Sequence, residues 1–334
     1  MLQLATKQNM YSQAGADKKQ QFAFLGNFLL ENGEQIIDCK IGYRTFGKLN
    51  ANRSNAIIYP TAGGSTTYMM QLFGAGTEVD TTKFYLILID ALGNGVSSSP
   101  SNSIAQPKTS FPQFTIRDMV NTQHKMLTEK LNIQHVVGIV GGSVGGLQAL
   151  QWAVSYPGFM DKVVAIETTP KISTYDMLWM NVYVDAIKSD TAYHNGNYKV
   201  NPGLPLATRL VQLILTTPAN LNKMVPADSL FMLFDLLEKS PFKVDANNIL
   251  WQTKAVMMHD ITAISGGSLE STAKIIKAKL LIIANKQDHN INQTLSIKFA
   301  PMVNAELVVM DDNLGHLIFG EETTIEATRK FLSQ

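Results

Sequence analysis

Val136-Val-Gly-Ile-Val-Gly-Gly-Ser143-Val-Gly-Gly-Leu-Gln-Ala-Leu-Gln-Trp152-Ala is the stretch that decides the fold. It opens as a continuous apolar run, the pattern of a strand buried on both faces. It then passes through Gly141-x-Ser143-x-Gly145 into an apolar helix, Leu147 to Ser155, which closes at Tyr156-Pro157. A serine on a sharp strand-to-helix turn projects its hydroxyl above the sheet edge, and so tight a turn needs small neighbours. The following helix points its positive end at the place where an oxyanion would develop. Glycine clusters mark ordinary turns as well; here the strand before and the helix after single out a nucleophile elbow. The glycine order does not make G-x-G-x-x-G, so a dinucleotide loop is not indicated.

Outward from the elbow, strands alternate with helices. Gln35 to Tyr43, Asn55 to Tyr59, Phe84 to Asp90, His135 to Val140, Lys162 to Ile166, Lys279 to Ala284 and Ala305 to Met310 read as strands. Thr115-Ile-Arg-Asp118 fits a capping box, with a helix running to about Leu131. From about Thr168 to Gly267 the rhythm stops and helices dominate: Tyr175 to Ile187, Leu206 to Leu215, Ser229 to Glu238 and Asn247 to His259. Helices Asn292 to Ala300 and Glu322 to Leu332 complete the chain. Strand–helix alternation implies a mostly parallel sheet flanked by helices. The expected organisation is a polar leader (1–21), a first core segment (22–167), a helical lid (168–267) over the sheet's C-terminal edge, and a second core segment (268–334).

A serine hydroxyl needs a base, and the imidazole needs a carboxylate behind it. With a nucleophile elbow the chain order is serine, acid, histidine. Of six histidines, His316 alone lies in a loop just after the last predicted strand, beside Gly315. Asp288, just after the strand Lys279 to Ala284, reaches the same edge; its competing reading is a helix cap. Asp311 and Asp312, close to His316, read as turn residues. His289 should point elsewhere on its loop, His124 lies inside a helix, His135 opens a strand and His194 sits in a polar turn. His259 ends a helix, where a histidine suits the dipole, and for all five a structural role is expected. None has metal-ligand spacing, so no metal is expected. The oxyanion donors expected are the backbone N–H groups of Val144 and, from Pro60-Thr-Ala-Gly-Gly-Ser65, Ala62, with Gly63 the alternative one residue on.

Hydrophobic residues make up 45% of the 334 and charged residues 16%, a balance for a buried core rather than disorder. A net charge of +1 without a basic stripe argues against nucleic acid or an anionic membrane as partner. The single cysteine, Cys39, permits no intrachain disulfide. The N-terminus lacks the apolar stretch of a signal peptide, and no run of about 18 uncharged apolar residues suggests a transmembrane helix. A cytoplasmic protein acting on small molecules is the expectation.

The chain resembles the homoserine O-acetyltransferase family of α/β-hydrolase enzymes from about Phe22 to Phe331. The long elbow through Trp152-Ala and Tyr156-Pro157 carries most of the resemblance. Gly42-Tyr-Arg-Thr-Phe-Gly-Lys-Leu-Asn50 with Arg53-Ser-Asn55, Phe111-Pro-Gln-Phe-Thr-Ile-Arg-Asp-Met119, Ala186-Ile-Lys-Ser-Asp190 leading to Asn195-Gly-Asn-Tyr198, Asp245-Ala-Asn, and Gly315-His316 add to it. The resemblance implies a ping-pong reaction with acetyl-CoA as co-substrate and no permanently bound cofactor. Acetyl-CoA would acylate Ser143, and an amino-acid hydroxyl would then accept the acetyl group. It also implies that the lid shapes the acceptor pocket and forms a homodimer contact. Two departures bear on the acceptor. Pro60-Thr-Ala-Gly-Gly replaces a His-Ala-Leu-Thr-Gly-like loop. Where the family's lid offers an arginine for the amino acid's carboxylate, this chain has Met180-Asn-Val-Tyr-Val-Asp-Ala186, with Val184 near that position. Transfer of an acetyl group to a small hydroxyl acceptor is the expected activity, with hydrolysis by water on the same serine as the alternative. A fold kept as a scaffold would predict broken catalytic positions, and all three are present.

Overall fold

Residues 19–72, 77–202, 204–239 and 244–334 are described by a computed structural model of the chain. Eight strands form one sheet in the order β1-β2-β4-β3-β5-β6-β7-β8. They are β1 Gln21–Leu29, β2 Gln35–Phe46, β3 Ala56–Pro60, β4 Tyr85–Ile89, β5 Val136–Gly142, β6 Met160–Ile166, β7 Lys279–Asn285 and β8 Glu306–Met310. β1 pairs antiparallel with β2 and β2 with β4; every other neighbouring pair is parallel. The central strands are apolar on both faces because both faces are covered. Ile58, Ile87, Ile139 and Val163 enter one buried cluster, while Ile57, Leu86, Val140 and Val164 enter a second.

The capping box forms as expected: Thr115 accepts from the Asp118 N–H and Asp118 from the Thr115 N–H, opening a helix at Ile116–Lys125. Its continuation to Lys130 widens into a π turn. Strand β1 was not anticipated, and the sheet starts at Gln21, inside the expected leader. A bulge at Gly26 (φ 69°) breaks the two-residue period. Apolar residues also stand on both faces: Ala23 and Leu25 are buried while Phe22 and Phe24 are exposed. Gln20 also belongs to the fold, donating to Asp90 Oδ2 at 3.0 Å. Residues 1–18 of that leader lie outside the described residues.

Between β6 and β7 lie the helices α1 Thr174–Lys188, α2 Pro205–Leu215, α3 Pro218–Met224, α4 Leu230–Glu238 and α5 Ala246–Met257. Two motifs of this insertion clasp each other. Tyr198 donates to Asp245 Oδ1 at 2.6 Å and accepts from the Asn247 N–H at 3.1 Å. Asn247 in turn accepts from Tyr193 at 2.9 Å and donates to the Gly196 carbonyl at 2.9 Å. Asn195-Gly-Asn-Tyr198 and Asp245-Ala-Asn are therefore a structural lock within the insertion. Tyr198→Phe removes both hydroxyl bonds; it is expected to cost about 1–3 kcal/mol, seen as a lower melting temperature.

Candidate active site

β5 ends at Gly142, and the helix Val144–Ser155 starts after a single residue, Ser143, held at φ 55°, ψ −125°. This strained conformation survives because the surroundings over-determine it. A Cβ on Gly141 would strike the Gly145 carbonyl, and one on Gly145 would come within 2.6 Å of the Pro60 oxygen. The elbow is thus pressed against the end of β3, and Ser143 remains partly accessible.

The sequence-predicted residues from distant loops converge on this serine. His316 Nε2 lies 2.9 Å from Ser143 Oγ, and His316 Nδ1 lies 2.8 Å from Asp288 Oδ2. Asp288 accepts from the Asn290 and Ile291 N–H groups at Oδ1 and from Gln293 Nε2 at Oδ2. Burial alone would raise its carboxyl, but the adjacent His316 and its hydrogen bond outweigh that and hold it below the usual carboxylate range. An ionised carboxylate only accepts, so Nδ1 carries the imidazole proton and Nε2 is left to accept from the serine hydroxyl. Asp311 is exposed and accepts from Gln287, while Asp312 closes a turn onto the Leu314 N–H.

The histidine loop is held from two sides. Asn285, at the end of β7, donates to the carbonyls of Asp312 and Gly315 at 2.8 Å each and accepts from the Asp312 N–H at 2.9 Å. From the lid, the Leu215 carbonyl accepts the His316 N–H at 3.0 Å. Gly315 is at φ 63°, and a Cβ there would sit 2.9 Å from the Thr216 Cα. Asn285 escaped the sequence reading because an asparagine ending a strand looks like any turn residue.

The loop after β3 packs on the elbow: a Cβ on Gly63 would lie 2.9 Å from Val144 Cγ2. Within it, the N–H groups of Thr61, Gly64 and Ser65 are engaged by Ile89, Gln252 and Ala62. Those of Ala62 and Gly63 remain, together with that of Val144 in the first turn of its helix, where N–H groups have no intrahelical partner. Gln148, also missed from sequence, ties these pieces together. Its Nε2 donates to the carbonyls of Thr61 and Val144, at 3.1 Å each. Its Oε1 accepts from Gln123, which accepts from Trp152. Fixing the Thr61 carbonyl fixes the Thr61–Ala62 peptide plane, and so the direction of the Ala62 N–H.

The remaining histidines lie apart from this chain of contacts. His289 and His194 are exposed, His135 pairs with Asp161 at 3.1 Å, and His124 stacks on Tyr156. His259 is structural, as expected, but through burial rather than a helix dipole. It is buried against the Thr169 carbonyl, and burial pushes its imidazole down to about 4; it is a neutral core residue, not a charge for a helix end. Among the described residues, one His/Cys/Asp/Glu group is tight enough for a metal: Glu167, Asp288 and His316. It is the pair just described with one further buried acid.

The sequence matches the α/β-hydrolase fold family over residues 63–323. The chain belongs to that family. It is 33% identical to an ethyl acetate hydrolase of Pseudomonas veronii, over 89% of either chain. It is 30% identical to a homoserine O-acetyltransferase of Nautilia profundicola, over 78% of this chain and 81% of that protein. Among solved structures, an acetyl esterase superposes with a TM-score of 0.86 at 26% identity, covering 97% of this chain and 99% of the other. A homoserine O-acetyltransferase from Bacillus anthracis shares the fold with a TM-score of 0.84 at 24% identity, covering 96% and 99%. The resemblance seen in the sequence holds, and within the family the relatives include both homoserine acyltransferases and esterases.

Two outcomes follow from the site. Gln148→Leu strips a donor from two buried carbonyls and an acceptor from Gln123. A loss of about 2–4 kcal/mol is expected, with kcat falling more than KM changes. His259, with its folded value depressed from 6.5 to about 4, stabilises the protein fully above pH 6.5 and loses that contribution as pH falls toward 4. The effect is on the order of 3 kcal/mol. Melting curves between pH 4 and 7 should fall off more steeply for the wild type than for His259→Gln.

Proposed function

We propose that the chain is a serine esterase that hydrolyses short acyl esters, acetyl esters foremost, through an acyl-enzyme on Ser143. His316 Nε2 takes the Ser143 proton as Oγ attacks the ester carbonyl. The N–H groups of Val144 and Ala62 receive the oxyanion. His316 then protonates the leaving alkoxide, and the alcohol departs. Water, losing a proton to His316, attacks the acyl-serine; acetate leaves and the proton returns to Oγ. Asp288 holds the tautomer and stabilises the imidazolium.

The hydrogen-bond chain from Ser143 through His316 to Asp288 supports the first half-reaction. The lid's charges favour water in the second. An amino acid's carboxylate buried without a cation is costly, yet among the described lid residues the cations face outward or are engaged elsewhere. Lys171 pairs with Asp260 at 2.8 Å and Arg209 with Glu238 at 3.2 Å. Lys188, Lys199, Lys223 and Lys239 are exposed. Half-buried Lys254 sits over the Trp251 ring. Val184, near the position of the family's lid arginine, is buried. The 33% identity to an ethyl acetate hydrolase over 89% of the chain supports the same reading.

Similarity to a homoserine O-acetyltransferase over 78% of the chain keeps a second reading, transfer from acetyl-CoA to a hydroxyl acceptor. Acetate release from ethyl acetate should be efficient in the wild type and fall by at least about 10³-fold in Ser143→Ala. CoA release from acetyl-CoA that depends strictly on added homoserine, with negligible ester hydrolysis, would establish transfer instead.

A further inference from the structure

Glu167, the residue after β6, has no part in the mechanism above, yet it is buried beside it. It is 0% exposed, held at φ 46°, and its N–H is bound by the Ile283 carbonyl at 2.9 Å. Oε1 accepts from the Asn285 N–H at 2.6 Å. Oε2 is buried, has no hydrogen-bond partner among the described residues, and lies 3.9 Å from His316 Nδ1. One ligand atom from each of Glu167, Asp288 and His316 falls within 4.8 Å of the others.

Two neighbouring carboxylates in an interior cannot both ionise cheaply. Their partners decide which keeps the proton. Asp288 accepts four N–H bonds, from Asn290, Ile291, Gln293 and His316. Glu167 accepts one and leaves an oxygen bare. We propose that Glu167 is a neutral carboxylic acid whose Oε2–H donates to Asp288, a positioning residue that holds the acid behind His316 and stands as its reserve. The bare oxygen then has a partner, and the pair carries one negative charge. Burial, then the Asp288 carboxylate, push the Glu167 carboxyl far upward, in the same sense. The other ionisable groups facing the pair are His316 and, from the lid, Asp176, whose carboxylate is committed to the Ser173 and Asn292 N–H groups.

This inference rests on the Ser143–His316–Asp288 reading, and its test separates the two. Glu167→Gln keeps a donor toward Asp288 and an acceptor for Asn285. It should stay within about threefold of wild-type kcat/KM on an acetyl ester and leave the low-pH limb of the pH profile in place. Asp288→Asn removes the like charge, lets Glu167 ionise near His316, and should be rescued in part. Asp288→Asn/Glu167→Gln should therefore fall at least about tenfold below Asp288→Asn alone. In the wild type at neutral pH, infrared spectra should show a buried protonated carboxyl band that shifts on 13C-labelling of glutamate, a measurement needing no variant. A limb displaced to lower pH in Glu167→Gln, a double variant no worse than Asp288→Asn, or no such band would overturn the proposal. An Asp288→Asn/Glu167→Gln variant as active as the wild type would instead overturn the role of the acid itself, and with it the reading this inference rests on.

Discussion

The left-handed turn at Ser143 is the constraint on which the rest depends. A non-glycine residue at φ 55°, ψ −125° is unfavourable by itself and persists only because β5 and the helix after it leave no alternative. That geometry demands glycines at 141 and 145, since the chain there runs against the Gly145 carbonyl and the end of β3. The same closeness lets one side chain, Gln148, hold the carbonyls of Val144 and Thr61 together. Serine, helix start and β3 loop are consequently one rigid unit, and the N–H groups of Val144 and Ala62 belong to it.

The histidine is not part of that unit and has to be brought to it. β8 and β7 deliver the loop, Asn285 fixes its shape, and the helical insertion between β6 and β7 completes it: the Leu215 carbonyl holds the His316 N–H, and Thr217 donates twice to the Asn313 carbonyl. A displacement of Leu215–Thr217 would bear directly on the backbone that carries the imidazole. Gly315 exists for this contact, because a side chain there would push Thr216 away.

Much of this was legible in the sequence, for definite reasons. The elbow announces itself because a buried strand, a glycine-flanked serine and an apolar helix follow one another without a break. Asp288 and His316 were readable because each follows a strongly apolar strand, which places it at the same sheet edge. Strand β1 was not, since its bulge at Gly26 and its exposed Phe22 and Phe24 erase the alternation that marks a half-buried strand. The burial of His259 was not readable, because position at a helix end does not reveal it. Glu167, Asn285 and Gln148 were invisible for a common cause: each acts on residues far away in the chain, and only the fold brings them together. An acid after a strand, an amide at a strand's end and a glutamine in an apolar helix carry no local mark.

Burial also explains why so similar a core can serve different acceptors. On the proposed mechanism the acyl-forming half needs a serine, a base and a carboxylate behind the ring, and the sheet edge brings Ser143, His316 and Asp288 together for it. In the proposed second half the acceptor competes with water, and the charges of the helical insertion bear on that competition. A charged acceptor enters a low-dielectric space at a cost of several kcal/mol unless a counter-charge awaits it, whereas water enters at little cost. The site's own excess is negative, on Asp288, and the described lid cations are spent on Asp260, Glu238 and Trp251 or turned to solvent. An anionic amino acid would meet that negative field without compensation, while a neutral ester and a water molecule would not.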